Sequence, residues 1–113
     1  MIINLNLEGK KIIIVGGGNE AEKRIKPLLN EKCEIIIISD FVNIQISELV
    51  KMKQIKLKKQ KIENMKFFSE LKPDLIITTT NDKGINQKII KHARKKKIIA
   101  YSSDNPEDSD FSN

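Results

Sequence analysis

The stretch at residues 10–25, KKIIIVGGGNEAEKRI, decides the fold of this chain. Its apolar residues 12–15 run without alternation, which is typical of a strand buried on both faces of a parallel sheet. Three glycines follow the strand, and the apolar spacing of Ala21, Ile25, Leu28 and Leu29 behind them predicts an amphipathic helix. The stretch therefore predicts a strand–turn–helix unit with an unusually close turn.

The glycine turn matches a phosphate-binding pattern. Gly16, Gly18 and Ala21 fit G-x-G-x-x-A, the dinucleotide-binding variant with a small third residue. Gly16 allows the tight turn, Gly18 lets backbone N–H groups approach a pyrophosphate, and Ala21 lets the helix pack close to the strand. The helix N-terminus would then face the phosphates with its positive dipole end. A glycine-rich connection without a ligand is the alternative interpretation.

Composition favours one domain in a reducing compartment. The 113 residues suffice for a single core, and no run of 18 apolar residues could form a transmembrane helix. The N-terminus lacks a basic-then-apolar signal pattern, and the single Cys33 cannot form an internal disulfide. We therefore expect a cytoplasmic protein that does not associate with membranes.

The charge of the chain permits an anionic partner. Its net charge is +6, from 21 Lys and Arg residues against 15 acidic residues. Nucleic-acid binding is disfavoured, because no Trp, one Tyr and four Phe leave few platforms for stacking bases. The basic residues 94–97 are expected to place cations at the negative end of a helix dipole. One His and one Cys give no metal-ligand spacing, so no metal is predicted.

Alternating strands and helices predict an α/β fold. Further strands are predicted at residues 34–39, 55–62, 75–77 and 98–101, the second of these being a lysine-rich edge strand. Helices are predicted at residues 19–30, around 46–50, at 64–71 and from Asn81 or Asp82 onward. We predict one Rossmann-type domain over residues 1–113, with an acidic polar tail at 103–113. Its sheet should be doubly wound, parallel and five-stranded, in the order 3-2-1-4-5.

The ligand crevice of such a sheet lies beyond the carboxyl ends of strands 1 and 4, where the strand order reverses. That rule selects as cofactor-binding candidates Gly16, Gly17, Gly18, Asn19, Glu20, Ser39, Asp40, Thr78, Thr79, Thr80 and Asn81. An acid at Asp40 can accept hydrogen bonds from ribose hydroxyls and would repel a 2′-phosphate, which favours NAD over NADP. Ser39 and Asp40 compete for this strand-end position, and Asp40 as a simple turn residue is the alternative.

A catalytic candidate follows the last predicted strand. Asp104 stands at the crevice, directly before Asn105 and Pro106, and could act as a general base. The single His92 lies within a lysine-rich helix, away from every strand end, so it does not compete for that role. The alternative is that Asp104 only initiates the turn at Pro106.

Four motifs in the same order resemble the N-terminal domain of siroheme synthases, the precorrin-2 dehydrogenase and sirohydrochlorin ferrochelatase family. Residues 5–10, LNLEGK, resemble the family's F-L-D-L-x-G-K, and residues 15–18 match its V-G-G-G. Residues 79–86 resemble its A-T-D-D-x-x-x-N, and residues 100–106 resemble N-V-V-D-x-P. Tyr101 departs from this last motif, since the family commonly has Asn there.

The resemblance implies an NAD-dependent oxidation of precorrin-2 to sirohydrochlorin in siroheme biosynthesis, with sirohydrochlorin ferrochelatase activity as a second implied reaction. The family's catalytic aspartate, implicated in proton handling and iron insertion, maps onto Asp104. The tetrapyrrole substrate carries many carboxylates, which agrees with a basic protein. A non-catalytic NAD-binding regulatory domain, like those of potassium transporters, is the alternative, although such domains lack an Asp-x-Pro after strand five.

The resemblance also bears on partners. Members of the family continue past this region with a dimerisation segment and a helical domain that helps to enclose the tetrapyrrole, whereas this chain ends at Asn113. We therefore expect a homodimer or a partner subunit to complete the pocket. A natural short form that needs such a partner and a fragment of a longer protein are the two interpretations of this length.

Overall fold

The computed structural model describes residues 6–103, and strands and helices alternate along this range. The strands are β1 (Lys11–Val15), β2 (Glu34–Ser39), β3 (Lys56–Lys59), β4 (Leu75–Thr78) and β5 (Ile99–Ser102). The helices are α1 (Asn19–Ile25), α2 (Ile44–Lys51), α3 (Lys66–Leu71) and α4 (Lys83–Lys95), and a 3₁₀ helix at Lys26–Asn30 follows α1. Of the helices in this range, none is both long enough and apolar enough to cross a membrane.

All five strands are parallel and lie in the order β3-β2-β1-β4-β5. This confirms the predicted Rossmann-type sheet. The register aligns the strand ends, because Val15 at the end of β1 pairs with Ile38 of β2 on one side and with Thr78 of β4 on the other. The carboxyl ends of three strands therefore meet at one edge of the sheet, where the strand order reverses.

Each face of the sheet packs against its own pair of helices. Ile12 and Ile14 of β1 pack with Ala21 and Ile25 of α1 on the face that also carries α2. Ile13 and Val15 belong instead to the cluster formed with α3 and α4. Successive side chains of a strand point to opposite faces, so a strand covered on both faces must be apolar throughout. This explains why β1 and β2 carry uninterrupted isoleucines.

The first helix is shorter than the sequence predicted. α1 ends at Ile25, and the remaining predicted residues form the 3₁₀ helix, with Pro27 in its first turn. Pro27 has no N–H and cannot donate an α-helical hydrogen bond, so the chain tightens at this point. β3 is also shorter than its predicted range of 55–62, although it does lie at the edge of the sheet.

Lysines form the turns from helix to strand. Lys32, Lys53, Lys72 and Lys97 have positive φ angles of 52°, 61°, 50° and 59°, and each comes two or three residues before a strand. Glycine is the usual residue in this left-handed conformation, because it has no Cβ. Three of the five glycines of this chain lie instead in the turn after β1.

Candidate functional site

A cleft of about 340 Å³ lies at the carboxyl edge of the sheet, over the end of β1. Three loops line it, at residues 16–20, 39–41 and 79–81. The structure therefore brings together ten of the eleven predicted cofactor-binding residues, namely Gly16, Gly17, Gly18, Asn19, Glu20, Ser39, Asp40, Thr79, Thr80 and Asn81. Phe41 also lines the cleft; it ends the predicted stretch 39–41 but was not among the predicted cofactor-binding residues.

Two glycines of the turn have no room for a side chain. A Cβ on Gly16, whose φ is +121°, would overlap the Thr79 hydroxyl, and a Cβ on Gly17 would overlap the Phe41 carbonyl oxygen. Gly18 is different, because no atom of residues 6–103 lies within 4 Å of the position that its Cβ would take. Gly16 and Gly17 are therefore required by the packing of the loops, whereas Gly18 faces open space.

The first turn of α1 presents backbone N–H groups that no side chain within residues 6–103 caps. Gly18 is the N-cap residue, and the helix begins directly after it with the Glu22 N–H bonded to the Gly18 carbonyl at 3.0 Å. The N–H groups of residues 19–21 precede the first intrahelical bond and have no partner within the helix. A phosphate at this end of the helix could accept hydrogen bonds from them and would be stabilised by the dipole.

Asn43 joins the glycine turn to α2. Its backbone N–H donates to the Gly17 carbonyl at 2.8 Å, and its Oδ1 accepts from the Ile46 N–H at 2.9 Å as the N-cap of α2. Its Nδ2 donates to the Glu22 carboxylate at 2.9 Å. Sequence reasoning missed this residue, although an Asn three positions before a buried helical Ile is a recognisable capping signal.

Ser39 and Asp40, which competed for the end of β2, have different surroundings. Ser39 is buried, and its hydroxyl donates to the Phe41 carbonyl oxygen at 2.5 Å. Asp40 is exposed to the cleft, and none of the ion pairs among residues 6–103 involves it. Asp40 is therefore the one whose carboxylate can meet a ligand, while Ser39 shapes the turn.

The polar side chains after β4 bond mainly to the protein. Thr79 Oγ1 donates to the Val15 carbonyl at 2.9 Å, and Thr80 Oγ1 donates to Asn86 Oδ1 at 2.6 Å. The buried Asn86 amide in turn donates to the Thr80 carbonyl at 2.9 Å. Thr78 is the predicted residue that the structure does not bring to the cleft, because its side chain is fully buried within the sheet. The loop at residues 79–81 therefore forms a wall of the cleft whose shape is held by these internal hydrogen bonds.

A smaller cavity of about 130 Å³ adjoins the cleft and shares Gly16, Ser39, Asp40 and Thr80 with it. Its other walls are Val15, Ile38, Gln60, Lys61, Ile62, Asp82 and Ile85. The Gln60 N–H donates to the Ser39 carbonyl at 3.0 Å, which brings the loop after β3 to this position. Sequence reasoning gave residues 60–62 no site role, although the carboxyl end of any parallel strand reaches the same edge.

The predicted catalytic residue Asp104 lies outside the described residues. Ser103, which precedes it, donates both its N–H and its Oγ to the Thr78 carbonyl, at 3.0 and 3.2 Å. Neither loop cavity at the carboxyl edge is lined by a His or Cys of the described range. The ring of His92 packs instead against that of Phe68, with centroids 4.6 Å apart.

Within residues 6–103, two titratable groups outside the cleft have shifted pKa values. Burial raises the pKa of the Cys33 thiol. The hydrogen bond from Lys56 Nζ, 2.9 Å from Glu34 Oε2, lowers the pKa of the Glu34 carboxyl and joins β3 to β2. Within the described range, His, Cys, Asp and Glu form no group of three that could hold a metal ion.

Comparisons with known proteins agree with this geometry. Residues 3–113 match the profile of a family described as "Putative NAD(P)-binding". The chain is 27% identical over 101 residues to a precorrin-2 dehydrogenase of Priestia megaterium, which covers 89% of this chain and 48% of that protein. It is 28% identical over 102 residues to a precorrin-2 dehydrogenase of Bacillus subtilis (strain 168), which covers 90% and 61%.

A solved structure, "SirC, precorrin-2 dehydrogenase", matches with a TM-score of 0.82 at 25% identity, over 99% of this chain and 53% of that one. The chain thus spans about half to three-fifths of the length of these relatives. These matches confirm the resemblance that the four sequence motifs indicated.

The different surroundings of the glycines predict different effects on stability. Gly17→Ala should lower the free energy of unfolding by about 1–3 kcal/mol or more, because its Cβ meets backbone atoms that cannot move independently. Gly18→Ala should cost less, about 1 kcal/mol at most, because the position is open and its φ of −98° suits any residue, which leaves only the weaker preference for Ala at an N-cap. Urea denaturation of both variants measures this, and equal losses would contradict the assignment of roles.

The contacts of Asn43 predict that it stabilises both α2 and the glycine turn. Asn43→Ala should lower the free energy of unfolding by about 1 kcal/mol through loss of the cap. Asn43→Ser keeps a capping oxygen but loses the hydrogen bond to Glu22, so its free energy of unfolding should lie between those of Asn43→Ala and the wild type. An Ala variant as stable as the wild type in the same denaturation experiment would show that the cap contributes nothing.

Proposed function

The chain belongs to the NAD(P)-binding family whose profile it matches over residues 3–113, and on that premise we propose that it binds NAD and acts in the oxidation of precorrin-2 to sirohydrochlorin. One observation carries the binding: the glycine turn, the uncapped first turn of α1 and the exposed Asp40 line a single cleft. The proposed substrate rests on the relatives named precorrin-2 dehydrogenase. The likeness to these relatives supports an enzyme of siroheme biosynthesis.

The dinucleotide is proposed to lie along the carboxyl edge of the sheet, with its pyrophosphate over Gly18. The absence of a Cβ there leaves room for the phosphates, and the N–H groups of the first turn of α1 point towards them. The ribose of the adenosine half would lie against Asp40, whose carboxylate accepts hydrogen bonds from the hydroxyls. The apolar side chains of Ile38, Ile62 and Ile85 in the adjoining cavity suit a flat base.

NAD, when bound, supplies the acceptor for the hydride that leaves precorrin-2. The protein's part is to position the two molecules and to take up the proton. Thr79 and Thr80 hold the wall of the cleft through their bonds to the backbone and to Asn86. Asp104 is proposed as the general base, and the absence of His and Cys from the described cleft lining supports a carboxylate in that role.

The tetrapyrrole is proposed to bind with the help of a second copy or a partner subunit. The net charge of +6 is compatible with a substrate that carries many carboxylates. The chain spans about half to three-fifths of its relatives' length. The full activity, including any insertion of iron, is therefore proposed for this chain and rests on the likeness to these relatives. The cytoplasmic location also stays a prediction.

NAD binding is tested at Gly18. In Gly18→Val, the affinity for NAD measured by calorimetry should fall at least about a hundredfold, or about 2.7 kcal/mol. The reason is that the branched side chain occupies the space of the pyrophosphate. Gly18→Ala should give a smaller loss, and both variants should unfold at nearly the wild-type temperature. Unchanged NAD affinity in a folded Val variant would show that the glycine turn is not part of the NAD-binding site.

The proton acceptor is tested with Asp104→Asn, which keeps the shape of the side chain and removes its basic oxygen. The rate of sirohydrochlorin formation from precorrin-2 and NAD, followed by absorbance, should fall about 10²–10⁴-fold while NAD affinity stays unchanged. Asp108→Asn, four residues further along the same acidic tail, is the matched control and should keep the wild-type rate.

Two outcomes would contradict parts of this assignment. An Asp104→Asn variant as fast as the wild type would make Asp104 a turn residue. A wild-type chain that binds NAD but does not oxidise precorrin-2, alone or as a dimer at high concentration, would favour a non-catalytic NAD-binding subunit.

A further inference from the structure

We propose that Lys61 sets the selectivity of this site between NAD and NADP, in opposition to Asp40. The inference rests on the proposed function, since it concerns the dinucleotide that binds along this edge. Its basis is that Asp40 and Lys61 line the same cavity of about 130 Å³ and that both residues are exposed. An acid at the end of β2 is usually read by itself as a signal for NAD. Here a cation from a different strand end shares its surroundings.

The backbone holds Lys61 at this cavity. The preceding residue, Gln60, donates its N–H to the Ser39 carbonyl at 3.0 Å, one residue before Asp40. The following residue, Ile62, is buried in the cluster on the α3 and α4 face of the sheet. Lys61 therefore lies between two anchored residues, with its side chain exposed at the rim of the cavity.

Both charges are available to a ligand. Of the ion pairs formed within residues 6–103, none includes Asp40 or Lys61. The other acid of the cavity, Asp82, is engaged as the N-cap of α4, where it accepts from the Ile85 N–H at 3.1 Å. Of the three charged residues that line the cavity, Asp40 and Lys61 are thus the two that no ion pair or helix cap of the described residues engages.

The two groups act on different parts of the ligand. NAD and NADP differ by a phosphate on the 2′-oxygen of the ribose that lies against Asp40. The Asp40 carboxylate accepts from the ribose hydroxyls of NAD and repels that phosphate, whereas the Lys61 ammonium attracts the phosphate and has no anionic partner on the ribose of NAD. Lys61 therefore reduces the discrimination against NADP that Asp40 alone would impose.

The test is calorimetric titration of the full chain with NAD and, separately, with NADP. In Lys61→Gln, NADP should bind about tenfold more weakly while NAD affinity stays within about twofold. In Asp40→Asn, NAD should bind more weakly and NADP more tightly. The effect of Lys61→Gln should shrink at high ionic strength, because the side chain is exposed.

Lys59→Gln is the matched control. It removes the same charge two residues earlier, at the end of β3, from an exposed lysine that does not line the cavity. Its ratio of NADP to NAD affinity should stay within about twofold of the wild type, and all variants should unfold at the wild-type temperature. If Lys61→Gln loses no more NADP affinity than Lys59→Gln, the proposed role of Lys61 is wrong, while the proposed function is unaffected. A wild-type chain that binds neither dinucleotide overturns the proposed function, and this inference with it.

Discussion

The ends of three parallel strands can meet in this protein only because two glycines let their loops touch. Gly16 packs against Thr79 after β4, and Gly17 packs against the backbone of Phe41 and Val42 after β2. β1 is the central strand, so a side chain at either glycine would push its neighbours apart on one side. The cleft, the direction in which α1 leaves the sheet and the position of Asp40 all depend on this contact.

Most polar side chains around the cleft hold the loops together. Ser39, Thr79 and Thr80 all direct their hydroxyls to protein atoms, as most buried or half-buried polar groups do. What faces the ligand is largely backbone: the open position at Gly18 and the N–H groups behind it. A site that recognises phosphate through its backbone depends on loop shape more than on side-chain identity. This is consistent with a fold shared with a solved relative at 25% identity.

The fold could be predicted because its signals are local. Unbroken isoleucine runs, a glycine turn and capping residues lie next to one another in sequence, and topology rules then leave few strand orders. Contacts between distant segments could not be predicted in this way. The burial of Thr78 depends on which face of β4 it occupies. The hydrogen bond from Asn43 to Glu22 depends on how α1 and α2 pack together. The position of Lys61 at the cavity depends on where the edge strand β3 ends. The sequence also did not reveal that the chain changes from an α-helix to a 3₁₀ helix next to Pro27.

The lysines with positive φ lie at the amino ends of the strands, opposite the cleft. A residue with a side chain costs on the order of 1 kcal/mol more than glycine in that conformation. Backbone strain is therefore kept on the side of the molecule where the proposed ligand does not bind. Exchange of one such lysine for glycine at the amino ends of the strands would therefore raise the free energy of unfolding and offset a destabilising change near the cleft. In evolution, the binding loops consequently have more freedom to diverge than their tight packing suggests.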